Sequence, residues 1–256
     1  MKLALPAEWK EHEATWLVWP KRSDDWPGKF GSIKWVYTDI IKAISESETV
    51  NLIVDSEQAE IKVRAILNRG SVNLKGVHFY HFNTDRSWIR DYGPFFVKSH
   101  EGIKAVGFKF NGWAKYSQWQ NDNMVRGAII SKLSFDNVIA EYNGKQIVLE
   151  GGSIDVNGKG ALITTRQCLL SESRQIRNSG FSKKDYENIF VKYFGAKNTI
   201  WLNEGIDGDD TNGHIDDVCR FVNSNTVVAC HESNPDDTNY RSLNENMDIL
   251  KNCRLE

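Results

Sequence analysis

The chain has 256 residues, 40% of them hydrophobic and 11% aromatic, which is enough apolar material for one large domain or two small ones and too much for a disordered segment. Its 32 basic and 34 acidic residues leave a net charge of -2, and no Lys/Arg run interrupts that balance, which argues against a nucleic-acid surface. No apolar stretch reaches the roughly 18 residues of a membrane span, and the apolar run in MKLALPAEWKEHE is too short for a secretory leader.

Taken in chain order, apolar strands near 14–19, 50–54 and 77–82 alternate with helix-like stretches near 32–47 and 57–69. The segment DRSWIRDYGP (85–94) follows, with Trp88, Arg90 and Asp91 just ahead of a Gly-Pro turn. From there the chain repeats itself. PFFVKSHEGIKAVGFKF, SIDVNGKGALITT and HIDDVCRFVNSNTVVAC each read as a β-hairpin, and their starts at 94, 153 and 214 lie 59 and 61 residues apart. Helix-length segments follow near 121–134, 182–194 and 239–251, and the first two lead into short strands at 137–141 and 198–202. The repeating unit is therefore β-β-α-β. Such units bury their helices by standing around a common axis, as an α/β-propeller whose loops converge at that axis. The third unit has no closing strand, so by its internal logic the sequence ends within a blade. The final Leu255 and Glu256 also fit a cloning remnant.

Three acidic stretches sit at equivalent entries to these hairpins. Asp91 precedes the first, Glu150 in VLEGGSID the second, and His214 with Asp216 in GDDTNGHIDDV the third. Each alone admits a plainer reading: a solvated Arg–Asp turn, a bulge with an exposed Glu150, or a polar hairpin entry. Gly151-Gly152 is not a phosphate loop, because no GxxxxGK follows. A calcium loop fails on spacing, with Gly213 seventh from Asp207 and Val218 in the twelfth place. An iron triad built on His214-x-Asp216 would need His231, a poor candidate at the far end of the paired strand. Together, the repeat turns these carboxylates toward one axis, where they repel one another unless a cation compensates them. With no CxxC or His-rich ligand set, an organic cation is favoured over a metal. A planar guanidinium suits paired carboxylates, and Trp88 offers it a stacking face.

Four ordered blocks, LPAEWKEHEATWLVWP (5–20), DRSWIRDYGPFFV (85–97), LEGGSIDVNGKGALITTRQCLL (149–170) and DDTNGHIDDVCRFV (209–222), resemble the agmatine deiminases and the related bacterial peptidylarginine deiminases. The resemblance runs from about residue 5 to about residue 231. It implies a single pentein-type catalytic domain over 1–256, an α/β-propeller with pseudo-fivefold symmetry whose last part is missing here. It implies hydrolysis of the guanidinium of agmatine to N-carbamoylputrescine and ammonia through a covalent cysteine intermediate; a cytoplasmic setting is expected separately, from the sparse cysteines and the lack of a leader-like run. No metal or organic cofactor is implied, and a homo-oligomer is compatible with the full-length protein. On this reading Asp91 and Asp216 hold the guanidinium, and His214 acts as general acid and then base. Glu150 orients His214 and favours its imidazolium, Gly151 and Gly152 line the pocket, and Trp88 walls it. Trp113, in FNGWAKY, lies near the substrate tail, although Ala114 stands where a glycine is common and SQWQNDN is unusual. Peptidyl-arginine is the alternative substrate, and a non-catalytic guanidinium-binding protein the alternative class.

The family's nucleophile is a cysteine near the end of a longer chain, in a Gly-rich segment ending His-Cys, and this sequence contains no such segment. Of the four cysteines present, Cys168 reads as a non-nucleophilic residue on a strand, Cys219 and Cys230 as buried members of the third hairpin, and Cys253 as part of a terminal helix. All are expected to be free thiols. The chain alone is therefore expected to be inactive, with exposed blade edges that lower its stability.

Overall fold

In the computed structural model, which describes residues 2–254, the alternation read in residues 14–81 becomes a three-stranded, all-parallel sheet. Strand β1 (Ala14–Val18) leads through helix α1 (Phe30–Ile44) to β2 (Thr49–Val54), and α2 (Glu57–Arg69) leads on to β3 (Val77–His81), with β2 central. A central parallel strand is covered on both faces, and β2 is accordingly buried from Val50 to Val54. Ile41 of α1 and Val63 and Leu67 of α2 close one apolar cluster with Val50, Leu52 and Val54. The start of α2 is fixed by Ser56, whose Oγ accepts the Ala59 N–H at 3.2 Å, ahead of Glu57 and Glu60 in the first turn. These elements form the smaller of two compact units, spanning Glu11–Ile89 and Gln118–Ala128.

The larger unit comprises the residues up to Lys10, Arg90–Ser117 and the chain from Ile129 on. It carries the repeats. A helical turn, α3 (Ile89–Tyr92), which enters this unit at Arg90, runs into the antiparallel pair β4 (Phe95–Ser99) and β5 (Gly102–Gly107); α4 (Gln120–Leu133), whose residues up to Ala128 belong to the smaller unit, then leads to β6 (Asp136–Ile139), parallel to β5. After the short ribbon β7 (Glu141–Tyr142) and β8 (Lys145–Gln146), the order recurs. Strand β9 (Asp155–Val156) pairs antiparallel with β10 (Ala161–Thr165), the turn α5 (Arg166–Leu169) and helix α6 (Lys183–Phe194) follow, and β11 (Asn198–Leu202) lies parallel to β10. Helix α6 is closed at its start by a reciprocal Ser182–Asp185 capping box and at its end by Gly195 at φ 67°. The third hairpin, β12 (Cys219–Asn223) with β13 (Thr226–Ala229), is followed by α7 (Tyr240–Asn252), and among the described residues no parallel strand follows. Leu255 and Glu256 lie outside the described residues.

Three expectations need correction. Residues 151–153 form a 3-10 turn and 216–218 a turn, so the second and third hairpins start later than the sequence pattern suggested. Backbone hydrogen bonds to neighbouring segments override the local apolar pattern there. Cys168 lies in the turn α5 rather than on a strand, and Cys230 is exposed rather than buried.

Candidate active site

The turns that displace the strands are the ones that build the site. Gly152 is the joint: its N–H donates to Asp91 Oδ1 at 2.8 Å, and its carbonyl accepts the N–H groups of Ile215 at 3.1 Å and Asp216 at 3.2 Å. One residue thus ties the entries of all three repeats together. The need for two glycines follows from close approach on two sides. A Cβ on Gly151 would come within 3.1 Å of the Arg90 carbonyl carbon; one on Gly152 would collide with His214 Nδ1 and reach 2.9 Å from both Asp91 Oδ1 and Asp216 Oδ2. The space beside Gly152 is therefore a cradle walled by two carboxylates and an imidazole nitrogen.

His214 is 2% exposed, and its two ring nitrogens face different surroundings. Nδ1 looks toward Asp216 Oδ1 at 3.7 Å and Asp91 Oδ1 at 3.9 Å. Nε2 looks toward Glu150 Oε2 at 3.9 Å, too long for a hydrogen bond, and neither of these two atoms has another partner among the described residues. Burial opposes charge on the imidazole, but Asp91, Glu150 and Asp216 outweigh it and lift the pKa to about 9. Burial also works against a charged Glu150, yet the Arg177 guanidinium and the imidazole hold its pKa at about 2. Asp216 is pushed up to about 6 by burial and by Asp91, against the pull of His214 and Arg90. The loop carrying His214 is tied by Asp209, which accepts the N–H groups of Gly213 at 2.6 Å and His214 at 3.1 Å.

The larger unit thus brings together Asp91, Glu150, Gly151, Gly152, His214 and Asp216, and Glu150 is fully buried rather than exposed on a bulge. Trp113 joins them by donating from Nε1 to Asp91 Oδ2 at 3.0 Å, and it is itself buried. The departure at Ala114 has a structural cost: Trp113 and Ala114 both take left-handed backbone, at φ 57° and 52°, which is unfavourable for residues with a Cβ. Trp88 belongs to the smaller unit, where it is 40% exposed and packs on Trp26 with ring centroids 5.0 Å apart. Arg90 is not a solvated partner of Asp91; its guanidinium joins Glu8 at 2.7 Å and Asp216 at 3.0 Å.

Sequence reasoning missed Arg177, whose buried guanidinium donates to Glu150 Oε1 at 3.0 Å. It lies in SESRQIRNSGFS, which carries no apolar period and reads as loop. Cys168 lies near the same group, and Glu150, Cys168 and His214 offer three metal-ligand atoms within 4.8 Å of one another. A divalent cation there would sit beside the guanidinium that already holds Glu150, and burial pushes the Cys168 thiol well above its usual range. The donor set is therefore poorly suited to a resident metal.

Residues 4–256 match the Porphyromonas-type peptidyl-arginine deiminase family. The chain belongs to that family. An agmatine deiminase of Ectopseudomonas mendocina is 34% identical over 98% of this chain and 66% of its own length. Among solved structures, a cysteine-to-serine agmatine deiminase variant of C. jejuni with substrate bound superposes with a TM-score of 0.84 at 32% identity, covering 97% of this chain and 71% of that one. The Enterococcus faecalis agmatine deiminase gives 0.84 at 30% identity, covering 97% and 66%. The α/β-propeller expected from the repeats, and the pentein class implied by the resemblance, is thus the fold class of this family member. The chain spans about two thirds of the length of the curated relatives it matches. Among the described residues no helix is long and apolar enough to cross a membrane.

Proposed function

We propose that this chain carries the guanidinium-binding and proton-transfer parts of an agmatine deiminase and that its two units belong to one catalytic domain. The observation that carries the reading is the cradle beside Gly152, where Asp91, Asp216 and His214 Nδ1 converge. Two carboxylates suit a planar cation, each charge-assisted hydrogen bond contributing roughly 1.5–3 kcal/mol. Asp91 and Asp216 hold the guanidinium and polarise its carbon, with Trp113 orienting Asp91.

In the proposed reaction a cysteine thiolate bonds to the guanidinium carbon, and the C–N bond to the leaving nitrogen breaks as His214 gives that nitrogen its proton. Water then attacks the thiouronium while His214 takes up a proton, the C–S bond breaks, and the ureido product leaves. His214 suits the first step because it is held protonated at neutral pH. None of the four cysteines suits the attack: Cys168 and Cys219 are buried with raised pKa values, while Cys230 and Cys253 lie outside the cradle. We therefore expect this polypeptide to bind agmatine without turning it over. A cytoplasmic setting belongs to the same reading.

Ammonia release from agmatine, and from arginine within a peptide, tests the proposal on this chain and on a form extended to the length of its relatives with a cysteine nucleophile. Activity in the longer form alone supports the assignment, and the substrate it uses separates agmatine from the peptidyl-arginine named in the family description. Activity in this chain as it stands would make one of its own thiols the nucleophile and overturn it. Binding without turnover in either form would leave a guanidinium-binding protein. Gly152→Ala fills the cradle, so agmatine affinity is expected to fall at least about tenfold in calorimetry.

A further inference from the structure

Arg177 is assigned no part in the reaction just described, yet its side chain is fully buried and spends all its reach on the site. Nε donates to Glu150 Oε1 at 3.0 Å, Nη1 to the Gln175 carbonyl at 2.9 Å and Nη2 to the Thr211 carbonyl at 2.7 Å. Thr211 lies three residues before His214, in the loop that Asp209 ties. One guanidinium therefore joins the turn bearing Glu150 to the loop bearing His214. It also divides the Glu150 carboxylate: Oε1 is taken, and Oε2 is left facing His214 Nε2 at 3.9 Å, both of these atoms being otherwise unpartnered among the described residues. A carboxylate with no exposure would take up a proton rather than stay charged unless a cation met it.

We propose that Arg177 is a positioning residue for acid–base chemistry at His214: its fork keeps Glu150 an anion with one oxygen turned to the imidazole, and so sets the charge of a ring it does not touch. The functional meaning rests on the deiminase reading; the geometry does not. The ring is surrounded on all sides by titratable groups. Asp91 and Asp216 face Nδ1, Glu150 faces Nε2, and a ligand atom of Cys168 lies within 4.8 Å of those of Glu150 and His214. Asp209 accepts the His214 N–H, and Asp217 lies close enough to feel its charge. The cations are Arg177, through Glu150, and Arg90, through Asp216. By direct repulsion Arg177 would disfavour the imidazolium; through Glu150 it favours it. The second effect prevails, because the charge on Glu150 depends on Arg177 and a buried imidazolium depends on Glu150.

An NMR titration of the His214 ring nitrogens on the chain as it exists decides between the two effects. Arg177→Gln is expected to lower the His214 pKa by about one pH unit, toward its value in Glu150→Gln. Arg177→Lys keeps a charge but cannot hold Glu150 and both carbonyls at once, and a smaller fall in the same direction is expected. Should Arg177→Gln fail to fold, the direction of the shift in Arg177→Lys separates the two effects instead. An unmoved or raised pKa, even with a lower melting temperature, would make Arg177 a scaffold residue and overturn the proposal. Agmatine binding is measured separately by calorimetry. Its absence beside a shifted imidazole would count against the deiminase reading alone, and its presence beside an unmoved imidazole against this proposal alone.

Discussion

In the smaller unit Asp122 is fully buried at the start of α4, its Oδ1 accepting the N–H groups of Asp85 at 2.6 Å and Arg86 at 3.2 Å, while Oδ2 has no partner among the described residues. In the larger unit Glu150 is just as buried, but its Oε1 meets a guanidinium and its Oε2 an imidazole. Burial pushes Asp122 up to about 7 despite two backbone donors, whereas Glu150 is held at about 2 against the same burial. Neutral N–H groups thus fail to offset desolvation where a full opposite charge succeeds. Asp122 still has a structural role. It pins residues 85–86, and Asp85 in turn accepts the Asn121 N–H at 2.9 Å and its Nδ2 at 2.8 Å, a reciprocal latch between the Trp88-bearing loop and the helix start.

The largest expected effect comes from making Glu150 resemble Asp122. Arg177→Met leaves a buried carboxylate without its guanidinium and should cost about 3–5 kcal/mol in urea unfolding at neutral pH. A loss below about 1 kcal/mol would mean that His214 alone stabilises the Glu150 charge. Next comes the pH signature of Asp122. Its folded pKa lies above the unfolded 3.8, so its contribution is complete below that value and is lost as pH rises through about 7. Asp122→Asn should remove a decline on the order of 2–4 kcal/mol between about pH 4 and 8. If the two melting profiles stay parallel over that range, Asp122 is ionised in the folded protein and the contrast with Glu150 fails. Glu150 behaves oppositely, its contribution being lost only as pH falls from 4.5 through about 2.

Asp216 is an intermediate case, paired with Arg90 but 20% exposed and raised to about 6. Agmatine affinity should therefore fall up to about tenfold between pH 7 and pH 5 as Asp216 takes up its proton, and Asp216→Asn should be weak but flat across that range. A pH-independent wild type would remove Asp216 from the cation-binding set. The smallest effect serves as a control in which no buried charge is involved. Ser182→Ala breaks the capping box of α6, where Ser182 is exposed to solvent, and should cost about 1 kcal/mol equally at pH 5 and pH 8.

The sequence by itself determined the elements and their recurrence. Helices α2 and α6 carry their caps and apolar faces locally, and the 59- and 61-residue spacing placed Asp91, Glu150 and His214 at equivalent points before any contact was known. Those signals are legible because capping and periodicity act over a few residues of one segment. What only the tertiary structure decided is how charge is distributed among those points. Arg177 sits in an unpatterned loop, Arg90 turns to Glu8 and Asp216 rather than Asp91, and Gly152 joins three repeats through its N–H and its carbonyl. Each of these depends on partners far away in sequence. The charge state of a buried group is set by which of those partners reach it, and no local pattern records that.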